Sequence, residues 1–154
     1  HRDFNTDHPE RLRAILEAFA EISQHFPLVF PMHPRTRKAV EANDFGHYLK
    51  LVTVTDPIPY PDTVALLSAA RCVITDSGGV QKEAYFAETP ALVMMEDTGW
   101  RELVDMGFNT LVDANKEKIV SGALSKKAVS EVSTGLFGNG DAGSRIAGII
   151  SEAF

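Results

Sequence analysis

A chain of 154 residues, 44% hydrophobic and 23% charged, has the size of one ordinary domain and enough apolar residues for a core. Its formal net charge of −6 leaves no broad basic face for nucleic acid or an anionic membrane surface, and no apolar run approaches the roughly 20 residues that span a bilayer. The single cysteine, Cys72, excludes a disulfide framework and a cysteine-based zinc site, which suits a reducing cytoplasm.

The chain starts at His1, and a strong helical pattern follows within a few residues. The expectation is a piece of a longer protein, entered where a preceding strand ends. Asp7 with Glu10 three residues later has the form of a capping box, and Pro9 suits an early helical position. Leu12, Ile15, Leu16, Phe19, Ile22 and Phe26 then recur at helical spacing and define one apolar face. "PLVFPM" reads as a short buried strand, "TRKAVEAN" as a helix, "LKLVTVT" as a strand and "DTVALLSAAR" as a helix. "CVITD" is a β-branched strand, residues 79–88 a helix, and "ALVMM" another short strand. "WRELVDMG" is a helix with Gly107 just past its end, and "NTLVD" is the last strand. Two helical segments close the chain, one carrying Ile119, Val120 and Leu124, the other Ile146, Ile149 and Ile150. The segment 134–143, "TGLFGNGDAG", is expected as a surface loop before a final helix that packs back on the domain.

Short, non-alternating apolar strands separated by helices predict a doubly wound parallel α/β domain with a Rossmann-like sheet covered on both faces. No internal repeat or linker divides residues 1–154, which are expected to form a single domain.

In such a sheet, ligands sit beyond the carboxyl ends of the strands. The junction "TDSGG" is the most informative there. Gly78 and Gly79 let a ligand approach the backbone, and the first N–H groups of the following helix have no partner within it. The positive end of that helix favours an anion, and Ser77 adds a hydroxyl. Glu83 lies one turn beyond Gly79 on much the same face, where a carboxylate can accept from a vicinal diol such as a ribose. A nucleotide's phosphates and sugar fit this pattern. So does a simple N-cap at Ser77 with glycines for close packing. The pattern is neither a Walker loop nor a GxGxxG fingerprint. His1 and Arg2 can serve an anion or a proton transfer, or be plain chain-end residues. His33, Arg35 and Arg37 form either an anion pocket or a solvated basic turn. No metal-ligand spacing and no Ser-His-Asp order is present.

Five segments in order resemble the C-terminal domain of the non-hydrolysing UDP-N-acetylglucosamine 2-epimerases. "HRDFN" is similar to the family's His-Arg-x-Glu-Asn, "PMHPRT" to Pro-x-His-Pro, and "DPIPYPDTVALL" to its Pro-Leu-x-Tyr-x-x-Phe loop. "TDSGGVQKEA" resembles Thr-Asp-Ser-Gly-Gly-x-Gln-Glu-Glu-Ala, and "FGNGDAGSRI" resembles Tyr-Gly-Asp-Gly-x-Ala-x-x-x-Ile. The resemblance implies one half of a two-domain, glycosyltransferase-B-like fold, with an N-terminal domain and a cleft between the halves. It implies a UDP-sugar substrate whose C2 is inverted by anti elimination and re-addition of UDP, without metal or cofactor, in a cytoplasmic homodimer. Residue by residue, Ser77, Gly78 and Gly79 would grip the diphosphate, with Arg2 nearby, and Glu83 would bind the ribose. The backbone of Ile58, with Thr63, would border the uracil, and His1 would be the catalytic residue beside the diphosphate or reacting sugar.

Several positions depart from the family pattern. Phe4 stands where Glu is usual, Lys82 replaces the first Glu of a pair, and Thr63 replaces an aromatic residue. In "MEDTGWRE", Met95 and Gly99 occupy positions where Arg and Glu are common, and Trp100 replaces a second Arg. "NTDHPERL", "HPRTRK", "GGVQKEAYF" and Trp100 resemble the subgroup acting on UDP-2,3-diacetamido-2,3-dideoxyglucuronate. Two further functions use the same features: a UDP-sugar-dependent glycosyltransferase, and a UDP-sugar sensor that binds without turnover.

Overall fold

The computed structural model describes residues 1–125 and 135–153. One helical turn, α1 (Asp3–Thr6), leads into α2 (Pro9–Ile22), β1 (Val29–Pro31) and α3 (Pro34–Ala42). A 3-10 segment (Phe45–Leu49) precedes β2 (Thr53–Thr55), α4 (Tyr60–Ala69), β3 (Val73–Thr75) and α5 (Gly78–Phe86). Then come β4 (Ala91–Val93), α6 (Arg101–Asp105), β5 (Asn109–Leu111), α7 (Lys116–Leu124) and α8 (Ala142–Ala153). Every strand pairing is parallel, as the non-alternating apolar runs require. Phe30 pairs with Val54 in one sheet, and Ile74 with Leu92 and Leu92 with Thr110 in the other.

The α/β class is therefore as expected, but the sheet is in two pieces, β1–β2 and β3–β4–β5. "PLVFPM" was expected as a buried strand, yet Val29 is 43% exposed, and β1 pairs with β2 alone among the described residues. β4, paired on both sides, is buried throughout.

The core forms where the periodicity of α2 places it. Leu12, Ile15, Leu16, Phe19 and Ile22 bury against Val40, Val52, Leu92, Met94, Val112, Ile119 and Val120. Full burial of each large aliphatic side chain is worth about 1.5–3 kcal/mol. Tyr85, Leu103 and Phe108 form a second cluster under α5 and α6. Burial pushes the Cys72 thiol pKa up, which disfavours the reactive thiolate. Gly107 takes φ +71 two residues past α6, the left-handed stop expected of it.

Three further expectations differ. Asp7 does not cap α2: the N-cap is His8, without a side-chain bond, and Asp7 pairs with Arg35 on α3 instead. Pro9 in the first turn starts the helix. The strand expected over "LKLVTVT" is shortened because Asp44, at φ 55, turns the chain into the 3-10 segment that takes Leu49. The last helix does not pack back: every described residue of α8 is exposed, with Ile146, Ile149 and Ile150 at 57%, 66% and 55%. Thr134, at the start of the expected loop 134–143, lies outside the described residues. No described helix is long and apolar enough to cross a membrane.

Candidate functional site

The carboxyl ends of β1 and β3 meet at His1. Its imidazole, on a residue whose side chain is 45% exposed, stacks on His33 at 5.1 Å, two residues past β1. Its amino nitrogen lies 3.0 and 2.8 Å from the two oxygens of Asp76, the residue after β3. Asp76 is only 5% exposed and also accepts from Arg2 N (3.0 Å) and Asn5 Nδ2 (3.2 Å). It takes the N–H of Arg2, the N-cap residue of α1, whose own side chain makes no cap bond, while Asp3 Oδ1 takes that of Phe4 at 2.9 Å. Burial by itself pushes the Asp76 carboxyl up. The hydrogen bond and charge of the His1 amino group, then Arg2 N–H and the Asn5 amide, outweigh it and hold the group below the usual carboxylate range.

Asn5 extends this network inward. It donates to Met94 O (3.0 Å) and accepts from Arg11 Nε (3.2 Å) and Nη2 (3.1 Å), and Arg11 pairs with Asp113. Burial raises the Asp113 carboxyl, but the Arg11 guanidinium and the Ala114 N–H bring it below its ordinary value. Asp76 and Asn5, which the sequence reading did not single out, are the centre of this network. Both lie within segments it had matched, Asp76 in "TDSGG" and Asn5 in "HRDFN".

The α5 end is open. Ser77 occupies the N-cap position with φ −97 and ψ 124, and its own N–H donates to Thr75 Oγ1 at 3.0 Å. Its hydroxyl makes no cap bond, so the N-cap alternative does not account for that side chain. The first N–H groups of α5 thus lack an intrahelical acceptor and a capping oxygen. The two glycines differ. A Cβ at Gly78 would sit 3.4 Å from Trp100 Nε1, whereas at Gly79 the nearest atom is Ser77 Oγ at 3.9 Å. Gly79 is the open one. Glu83 is half-buried one turn on, and its carboxylate has no hydrogen-bond or ion-pair partner among the described residues. Such an end can take an anion on its N–H groups and a diol on its carboxylate.

Thr63 and Ile58 are not tied to this group by any hydrogen bond among the described residues. Ile58 is half-buried in the loop after β2, and Thr63, in the first turn of α4, turns its hydroxyl back onto Pro59 O at 3.2 Å. The Arg2 side chain is exposed, and only its backbone joins the network. Arg35 and Arg37 are paired with Asp7 and Asp56, which makes theirs a solvated ionic turn. Beside Asn5 lies a cleft of about 390 Å³ lined by Phe4, His8, Arg11, Met95, Glu96 and Asp97. Phe4 and Met95, two of the departures from the family pattern, therefore face one cavity. Trp100, a third departure, donates from Nε1 to Gly78 O at 2.7 Å. No group of side chains that could hold a metal ion occurs among the described residues.

The family model described as UDP-N-acetylglucosamine 2-epimerase matches residues 1–151. The UDP-2,3-diacetamido-2,3-dideoxy-D-glucuronate 2-epimerase of Pseudomonas aeruginosa is 44% identical over 99% of this chain and 43% of its own length. A UDP-N-acetylglucosamine 2-epimerase homolog of Methanococcus maripaludis is 37% identical over 97% of this chain and 42% of its own. Among solved structures, the Methanocaldococcus jannaschii UDP-GlcNAc 2-epimerase in complex with UDP-GlcNAc and UDP superposes with a TM-score of 0.83 at 34% identity. The superposition covers 99% of this chain and 43% of that one. The chain spans under half the length of these relatives. With a family match over almost every residue and the fold shared throughout, the chain belongs to the UDP-N-acetylglucosamine 2-epimerase family.

Proposed function

We propose that the chain is the C-terminal, UDP-binding domain of a 2-epimerase acting on a UDP-acetamido-sugar. The observation that carries this is the uncapped first turn of α5, with Gly79 open and, among the described residues, no partner for the Ser77 hydroxyl or the Glu83 carboxylate. The diphosphate lies on the N–H groups of Gly78 and Gly79 with Ser77 as a further donor, Glu83 accepts from the ribose hydroxyls, and the Ile58–Thr63 loop borders the uracil. His1, stacked on His33, faces the diphosphate or the departing sugar, with Arg2 beside it. In the whole protein, C2 loses its proton as the C1–oxygen bond to UDP breaks on the opposite face. UDP then adds back after reprotonation on the other face of C2. The base and acid for C2 belong to a second domain, so this chain alone binds without turnover.

Two features support further chain beside this one. The apolar face of α8 is exposed. Among the described residues β1 and β3 each pair on one side only, and a parallel strand leading to His1 between them would complete this sheet in a doubly wound order. The name of the P. aeruginosa relative favours a diacetamido-uronate as the sugar.

Calorimetric titration of the chain with UDP, with CMP as control, tests the nucleotide site. UDP-selective binding that Ser77→Ala and Glu83→Ala each weaken about tenfold is expected, as for loss of one charge-assisted bond. Equal binding of CMP, or no effect of either substitution on a folded chain, overturns the proposal. Product analysis of a protein carrying both domains separates epimerisation from transfer to an acceptor.

A further inference from the structure

We propose that Trp100 is a positioning residue of the nucleotide site, holding the Gly78–Gly79 peptide in the orientation that presents the Gly79 N–H to a phosphate. This rests on the nucleotide reading above. The indole N–H donates to Gly78 O at 2.7 Å from a loop 22 residues further along the chain. A trans peptide is planar, with its carbonyl and the next N–H pointing in opposite directions. Fixing Gly78 O therefore fixes the direction of the Gly79 N–H, at a residue where an added Cβ would meet no atom nearer than Ser77 Oγ at 3.9 Å. A donor on the carbonyl also polarises the amide and strengthens its N–H as a donor. The need is real here, because two successive glycines leave this turn with more backbone freedom than any other pair would.

The indole is itself held on several sides. Trp100 N donates to Thr98 Oγ1 (3.2 Å), and that hydroxyl donates to Gln81 Oε1 (2.7 Å), a fully buried acceptor on the same helix as Gly78. Asn109 Nδ2 reaches the same oxygen at 3.3 Å. The Lys82 ammonium lies 4.5 Å from the indole centroid and 4.4 Å from that of Phe137, whose ring meets the indole edge-on at 5.8 Å. Lys82 and Trp100, two departures from the family pattern, are thus partners in one cation–π contact. They join α5, the loop after β4 and the segment around Phe137 at the phosphate end of the site.

Trp100 is the chain's single tryptophan, so its emission reports on this contact directly. In the unaltered chain, UDP shifts the indole emission and uridine, which lacks the diphosphate, does not. Trp100→Phe keeps a ring for Lys82 and removes the N–H donor. We expect its UDP affinity to fall about three- to tenfold, the span of one hydrogen bond, with uridine affinity, followed by NMR titration, unchanged. UDP binding at the original affinity in Trp100→Phe overturns the proposal. Equal losses for UDP and uridine also overturn it, since they mean a general structural role. Should Trp100→Phe fail to fold, the emission experiment decides alone: no shift with saturating UDP overturns the proposal. An unaltered chain that binds neither ligand overturns the nucleotide reading itself, a distinct outcome.

Discussion

Gly78 and Gly79 are adjacent and chemically identical, yet they answer to different neighbours. Gly78 backs onto the indole of Trp100, and Gly79 opens outward. Gly79→Ala should therefore leave the fold intact and add stability by up to about 1 kcal/mol from helix propensity, while UDP affinity drops because a methyl group stands over the phosphate-binding N–H. A thermal melt paired with a UDP titration checks both halves. Asp76 gives the matching pH prediction. Its carboxyl is held below its ordinary value in the folded chain. Its contribution to stability is therefore complete above the unfolded carboxylate pKa of about 3.9 and lost as pH falls through the lower folded value. Asp76→Asn should cost on the order of 2 kcal/mol at pH 7, as for hydrogen bonds to a charged group. The gap between variant and parent in urea denaturation should close as the pH is lowered past this range.

At the scale of elements, α2 and α8 have similar apolar spacing and opposite fates. Leu16 on α2 is wholly buried in the main cluster, so Leu16→Ala should destabilise the chain by about 2–5 kcal/mol. Ile149 on α8 is 66% exposed, and Ile149→Glu should change the stability of this chain by no more than about 0.5 kcal/mol. Denaturant unfolding of the two variants side by side checks the contrast. A large loss for Ile149→Glu would mean that α8 packs back after all, as its pattern alone suggested. Periodicity says that a helix has an apolar face; it does not say what covers that face.

For the whole molecule, the two-piece sheet ranks its strands. β4 is paired on both sides and buried, whereas β1 is paired on one side only among the described residues. In native-state amide exchange, Leu92 should be among the slowest residues and Phe30 distinctly faster. A longer protein with a strand between β1 and β3 would slow Phe30 and leave Leu92 as it is.

The strands, the helices and their alternation were legible in the sequence because each is signalled within a dozen residues: apolar runs for buried parallel strands, 3.6-residue spacing for α2, and Gly107 for the end of α6. The glycine-serine junction and Glu83 were legible for the same reason, since one helical turn brings them together. What the sequence left open depends on partners far along the chain. Asp7 pairs with Arg35 rather than capping its own helix. Asp76 takes its donors from residues 71 to 75 positions away. Trp100 reaches Gly78 only because β4 lies beside β3. Local periodicity and capping patterns act over one or two turns and can be read from the chain itself. The engagement of a buried carboxylate or an indole N–H is decided by what tertiary packing sets against it, because an unpartnered polar group in the interior costs more than any local preference supplies.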